Sequence, residues 1–308
     1  MYSSSQKTIK DLIEFDGVGL HNGKNVKICL KPAEVDSGIK FKRTDIDNSQ
    51  NIIEANYKNV SSSALCTKIK NSHGVSVSTI EHLMAAFYGE GIDNVLVEIN
   101  APEVPIMDGS SFDFVTAIKS YGVEEQKNSK KFIKALKKVE VKDGQKSISI
   151  QPLNNDLIID FEIIYQNPLI RTRRKEFRLS NGDLSSIYNS KTFCLYEDID
   201  KIKSQGLAQG GSLENAIVVK ENKILNEDGL RYRDEFVNHK ILDCLGDLLL
   251  AGNRIFGHVV TSQGGHQLTN SLLKEFLSDK SNWEFVNFEG KQENNKDKPY
   301  LRPIAVNA

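Results

Sequence analysis

A histidine, a lysine and two aspartates share one stripe of EFVNHKILDCLGDLLLAG, residues 235–252: His239, Lys240, Asp243 and Asp247. At ~3.6 residues per turn a helix sets these four within an arc of roughly 100°, with Ile241, Leu242, Cys244, Leu245, Leu248 and Leu249 on the opposite side. His239 and Asp243, four apart, are spaced to hold one metal ion from a rigid support, the geometry behind the helical His-x-x-x-His zinc pair. A solvated polar stripe shows the same spacing, so a third donor must come from elsewhere in the chain.

His82 is the best candidate. STIEHLMAAF opens a helix with Ser78 or Thr79 as N-cap, which puts Glu81 and His82 in the first turn, where side chains point into a cleft. His82, His239 and Asp243 then make two imidazoles and one carboxylate, the ligand count of a catalytic zinc site that keeps its fourth position for water. Glu81, beside a ligand, is placed to accept the proton of that water. A helix terminus alone accounts for the same pair, with Glu81 complementing the dipole and His82 packed against it. His266, in GGHQL just past the strand GHVV, belongs to a loop that can reach a cleft, or is a surface histidine. Asp247, two turns along from His239, can hold an imidazolium by its second nitrogen. His21 and His73 lie in polar turns and His258 within a strand; these read as structural, with His21 the foremost exception.

Two similar units must position these side chains. The polar stretch EEQKNSKK, residues 124–131, reads as a linker between apolar-patterned halves, giving domains over 1–126 and 131–308. GKNVKICLKP and GQKSISIQP both follow a turn, alternate apolar and polar residues and stop at proline, as half-buried strands do. TIEHLMAAFYGEGIDNVLVEI and NHKILDCLGDLLLAGNRIFGHVV both run helix, glycine, strand; setting Gly91 against Gly252 superposes their apolar positions and brings His82 against Asp243. The expected fold is α+β: two similar two-layer domains, each an antiparallel sheet with helices, packed helix layer to helix layer. Both polar-bearing helices then face one cleft.

Composition narrows the class. A formal net charge of -1 over 308 residues argues against a dedicated nucleic-acid binder. No apolar run approaches the ~20 residues of a membrane span and the start has no signal-peptide core, so the expected place is the cytoplasm, with at most peripheral membrane contact. Four cysteines without metal or disulfide spacing are expected to stay reduced, so a zinc ion must rely on histidine and carboxylate. FDGVGLHNGK reads as a hairpin turn and not a dinucleotide fingerprint, and GLAQGGSLENAIVV lacks the Gly-Lys-Ser/Thr ending of a phosphate loop. RTRRKEF, residues 171–177, is a basic cluster that meets anionic groups or is simply solvated. Nothing points to an obligate oligomer, so a monomer is expected.

STIEHLMAA, IDNVLVEINAPEVPIMDGSS, KTFC around Thr192 and Phe193, LNEDGLRYRDEFVNHKILDCLGDL and GGHQL, in this order over nearly the whole chain, closely resemble the UDP-3-O-acyl-N-acetylglucosamine deacetylases, zinc enzymes of lipid A biosynthesis in Gram-negative bacteria. The resemblance implies His82, His239 and Asp243 as zinc ligands and Glu81 as general base. It implies His266 as a protonated imidazole supported by Asp247, Thr192 as a hydroxyl at the oxyanion, and Lys240 and Phe193 at the substrate. It also implies an insert in each domain, the second over about Leu195 to Val219, where Leu195, Tyr196, Ile199, Ala208, Ser212, Ala216 and Val218 would line a passage for the acyl chain. The small-molecule substrate would be UDP-3-O-acyl-GlcNAc, losing acetate from its 2-acetamido group. Two rivals are weighed against this: a zinc peptidase or another amidohydrolase with the same metal chemistry, the peptidase being disfavoured by the missing His-Glu-x-x-His, and a metal-stabilised binding module, which would close its site with a fourth protein ligand.

Overall fold

The computed structural model describes residues 3–47, 49–288 and 301–303. It is a mixed α and β structure of several sheets and six α-helices: α1 (Glu81–Glu90), α2 (Phe112–Tyr121), α3 (Ser185–Tyr188), α4 (Tyr196–Ser204), α5 (Glu235–Leu248) and α6 (His266–Ser278). One sheet orders its strands Ile13–Val18, Asn25–Pro32, Val95–Ile99, Ile39–Arg43 and Ile52–Glu54. In the larger sheet, Val139–Asp143, Lys146–Gln151, Arg254–Ser262, Leu157–Ile163 and Arg173–Arg178 neighbour one another in the same way. In both sets the third and fourth strands are parallel and every other neighbouring pair is antiparallel. Alternation makes the strand Asn25–Pro32 one-sided: Val26, Ile28 and Leu30 are buried, while Lys27 is exposed and Cys29 half-buried between them.

Helix position follows the same plan. α1 precedes the central strand Val95–Ile99 and α2 follows it; α5 precedes Arg254–Ser262 and α6 follows it. Gly91 and Gly252, at φ 83° and 84°, turn the chain out of its helical segment towards these strands in the left-handed conformation that a side chain would strain. α1 and α5 pack against each other. Both are buried nearly all round, polar residues included: Glu81 to Tyr88 are all buried, as is every residue of α5 except Lys240. The polar stripe of α5 is therefore a buried face and not the solvated one that its spacing alone also allowed. Closeness explains Gly246, where an added Cβ would lie 2.1 Å from the Glu81 carbonyl oxygen and 3.0 Å from the Ala85 nitrogen.

The stretch expected as a linker is largely the strand Val123–Ser129, antiparallel to Ser5–Ile9. Most of its residues are exposed, so it shows no alternation. Lys131–Ala135 follows at once and pairs antiparallel with Trp283–Phe288. The hairpin reading of FDGVGLHNGK holds, since Ile13–Val18 and Asn25–Pro32 pair antiparallel. In the basic cluster Arg173 pairs with Asp234 at 3.2 Å and Arg174 with Asp160 at 2.6 Å, so these two charges are met within the chain. Two small three-stranded sheets are added: Val60–Ser62, Lys68–Lys70 and Ser76–Val77 ahead of α1, and Phe193–Leu195, Ile217–Lys220 and Lys223–Ile224 around α4. The tail from residue 290, to which the sequence assigns nothing, lies outside the described residues except for the strand Leu301–Pro303.

Candidate metal centre and active site

The start of α1 departs from the sequence expectation. Ile80 occupies the N-cap position and no side chain caps the helix. Thr79 sits at φ 56° and its hydroxyl donates to Glu103 Oε1 at 2.9 Å, so the chemistry expected at the cap is spent on a buried carboxylate. Glu103 also accepts the backbone N–H groups of His21 and Asn22 at 2.8 and 2.9 Å, tying the first hairpin turn to the helix entrance. Glu81 and His82 then open the helix, as expected.

His82, His239 and Asp243 meet where α1 crosses α5, each offering an atom within 4.8 Å of the other two. They are 5%, 1% and 4% exposed. The two imidazole rings stand edge to face, 5.0 Å apart. The Ser190 carbonyl oxygen, 3.1 Å from His239 Nδ1, can only accept, so that nitrogen carries the proton and Nε2 keeps its lone pair. Burial pushes the His239 pKa down to about 3, so the ring is neutral. Its Nε2 faces Asp243 Oδ1 at 3.4 Å, and His82 Nε2 lies 3.5 Å from the same oxygen. Asp243 Oδ1 is buried without a hydrogen-bond partner. A lone pair facing an unpaired carboxylate oxygen inside a protein is unfavourable unless a cation sits between them. The donor set therefore fits a metal ion. The other Asp243 oxygen is taken by Lys240 Nζ at 2.9 Å. The Ser111 hydroxyl donates to the His82 carbonyl at 2.7 Å, fixing the first turn of α1.

Beside the triad stands an acid–base group. His266 is the first residue of α6 and not a loop residue. Its Nδ1 donates to Asp247 Oδ2 at 2.7 Å, and its Nε2 lies 3.7 Å from Glu81 Oε1 and 3.9 Å from Asp243 Oδ2. Burial works against a charge here, but Asp247 and Glu81 outweigh it and raise the His266 pKa to about 10. Burial also pushes the Glu81 carboxyl above its ordinary value, against the pull of His266 and His82. The site thus holds a cationic imidazole and a carboxylate made more basic, the pair of states that acid–base work at neutral pH requires.

Two cavities meet here. An apolar one is lined by Tyr196, Ile199, Ala208, Ser212, Ala216 and Val218, all expected from the sequence. His21 lines it too, and burial lowers its pKa. A polar one is lined by Lys240, His266, Lys146, Tyr165 and Gln263. Thr192, Phe193 and Cys194 line both. Leu195 lines the polar cavity and not the apolar one with which the sequence grouped it. It is the last residue of a strand at the entry to α4, where the chain turns between the two cavities. Lys240 also stands 5.7 Å above the Phe193 ring.

Sequence reasoning missed Thr67, Glu103 and Glu235. Thr67 contacts Asp247 and Glu81, and Glu235 accepts the backbone N–H groups of Lys191 and Arg231 at 3.0 and 2.6 Å, holding the loop that carries Thr192. A threonine ahead of a short strand gives no signal. A glutamate between Pro102 and Pro105 in an apolar stretch is a weak one for a buried acid.

The sequence is similar to known proteins over nearly its whole length. A family model described as UDP-3-O-acyl N-acetylglycosamine deacetylase matches residues 6–278. Curated relatives named UDP-3-O-acyl-N-acetylglucosamine deacetylase include one from Haemophilus ducreyi, 43% identical over 94% of this chain and 95% of its own. Another, from Pasteurella multocida, is 44% identical over 93% and 94%, and one from Haemophilus influenzae is 41% identical over 98% of both. The chain belongs to the UDP-3-O-acyl-N-acetylglucosamine deacetylase family.

Proposed function

We propose that this protein removes acetate from the 2-acetamido group of UDP-3-O-acyl-N-acetylglucosamine, an early committed step of lipid A biosynthesis, using one zinc ion held by His82, His239 and Asp243. The observation that carries the metal is the unpaired, buried Asp243 Oδ1 facing the lone pair of a neutral His239. Two imidazoles and a carboxylate suit zinc, and three protein donors leave a position open for water. Among the described residues the cluster has these three donors and no fourth, which favours an enzyme over a closed binding module.

When bound, zinc lowers the pKa of a coordinated water from ~16 towards ~7 and polarises the amide carbonyl. Glu81 accepts the water's proton. His266, held cationic by Asp247, and the Thr192 hydroxyl then donate to the oxyanion that develops on the acetamide carbonyl oxygen, each contributing a few kcal/mol to the transition state. The proton needed by the departing amine is available on Glu81 or on His266, both of which face the site. Phosphates of the nucleotide meet Lys146 and Lys240 in the polar cavity, the sugar lies beside Phe193, and the acyl chain follows the apolar cavity past Tyr196, Ile199, Ala208 and Val218. Leu195 contributes from the polar side.

The matching strand orders and helix positions support duplication of one α+β unit, split between residues 126 and 131, with α1 and α5 at the junction. No described helix is long and apolar enough to cross a membrane; the enzyme acts in the cytoplasm as a monomer with at most peripheral membrane contact. Release of acetate from the UDP-linked substrate by purified protein, abolished by chelation and restored by Zn²⁺, is the expected result. Turnover that survives full removal of metal would overturn the reading.

A further inference from the structure

Of the three carboxylates around His266, Asp247 and Glu81 share one further neighbour. Asp247 places Oδ2 on His266 Nδ1 at 2.7 Å and Oδ1 on the Thr67 hydroxyl at 2.6 Å. Glu81 places Oε1 3.7 Å from His266 Nε2 and Oε2 on the Thr67 backbone N–H at 3.1 Å. One residue therefore holds the far oxygen of the acid on each side of the imidazole. Thr67 is 2% exposed, and its carbonyl oxygen accepts the Ile80 N–H at 3.5 Å, so it is seated on the entrance of α1 as well.

We infer that Thr67 is a positioning residue for the deacetylation: its hydroxyl fixes the Asp247 carboxylate so that His266 is aimed at the developing oxyanion, while its N–H fixes Glu81. This inference rests on the proposed function for its catalytic consequence, although the contacts stand without it. A carboxylate accepts only, so the threonine must donate its hydroxyl proton. With both oxygens engaged, Asp247 cannot rotate without losing a short charge-assisted bond. The hydroxyl comes from one half of the chain and the aspartate from α5, so the bond also sets where α1 and α5 stand around the imidazole. Outer partners of this kind commonly cost about 10- to 100-fold when removed.

The test compares T67V, which keeps the shape and drops the donor, with T67S, which keeps the donor. On zinc-loaded enzyme, kcat of T67V should fall about 10- to 100-fold with KM and zinc content near wild type, and T67S should stay within about threefold of wild type. The His266 Nδ1–H proton resonance in isotope-labelled, metal-free protein should move in T67V and keep its position in T67S. If T67V fails to fold, T67A is read in the same way. Wild-type kcat in the folded donor-less variant, or an equal loss in T67S, would overturn the inference; so would a fall in thermal stability with the resonance unmoved. An inactive wild type would sink the deacetylase reading instead, and the resonance would still decide the role of Thr67.

Discussion

At the scale of single residues the proposed function separates metal holding by His82, His239 and Asp243 from proton handling by Glu81 and His266. Glu81→Ala and His266→Ala should each lower kcat by about 10²- to 10⁴-fold while zinc stays near one per chain, because neither supplies a donor to the triad. Metal analysis beside steady-state kinetics checks this, and loss of zinc in either variant would mean that a ligand had been taken for an acid or base. His239→Ala should lose the metal itself. The pH profile follows from the His266 shift. Its pKa is raised from 6.5 to about 10, so the cation is present at neutral pH and activity should fall as pH rises through about 10. The same shift contributes stability that is complete below about 6.5 and is lost as pH climbs towards about 10. His266→Gln should be slow throughout, without the alkaline fall in kcat/KM, and its stability should vary less over that window. A wild-type profile flat to beyond pH 10.5 would contradict the assignment. The sequence shows His266 and Asp247 as candidates. Their states are not legible there, because they depend on Glu81 and burial supplied by distant parts of the chain.

At the scale of elements, helix periodicity is readable and what a helix faces is not. Residues 235–252 show one polar stripe, and sequence cannot distinguish water from a partner helix opposite it; α1 fills that side, and the candidate metal donors face each other across the contact. Thr79 looks like a cap because caps are local, yet Glu103 takes its hydroxyl over a separation of 24 residues. The strand Val123–Ser129 looks like a linker because most of it faces solvent. Gly246 is a further case: nothing local marks it, and only the crossing of α1 and α5 shows that a side chain has no room. Gly246→Ala should therefore destabilise the protein by about 1–3 kcal/mol as the helices are pushed apart, although alanine is the better helix former. Because Glu81 lies at the contact, zinc affinity should fall with it. Calorimetry and chelator competition measure the two, and an alanine variant as stable as wild type would show that the helices can shift without strain.

At the scale of the molecule, equivalent positions of the two proposed units meet across their junction. Nine residues before Gly91 and Gly252 stand His82 and Asp243, two of the three metal donors; two residues after them stand Asp93 and Arg254, which pair with each other. On the proposed duplication, the same position of each unit would come to the junction, and the side chains there form complementary pairs. Arg254 reaches from the second half to the carbonyl oxygens of Phe87, Tyr88 and Ile92, at and just beyond the end of α1, closing the far side of the interface from the metal. Arg254→Met would leave those carbonyls without this donor and leave Asp93 to Lys130, which lies 2.9 Å away. Arg254 is buried and donates to three carbonyl oxygens, so leaving these short of a donor should cost about 1–3 kcal/mol and the variant should melt below wild type. Since the donors come from both halves, whatever loosens the interface should also weaken the metal. Saturating zinc should in turn raise the melting temperature of wild type and variant, by the free energy of binding to the folded state, about 4 kcal/mol at a thousand times the dissociation constant. Scanning calorimetry with and without Zn²⁺ tests both directions. If Arg254→Met lost stability yet bound zinc as tightly as wild type, the two ends of the α1–α5 contact would be energetically independent, and the junction would act as two separate clamps and not as one.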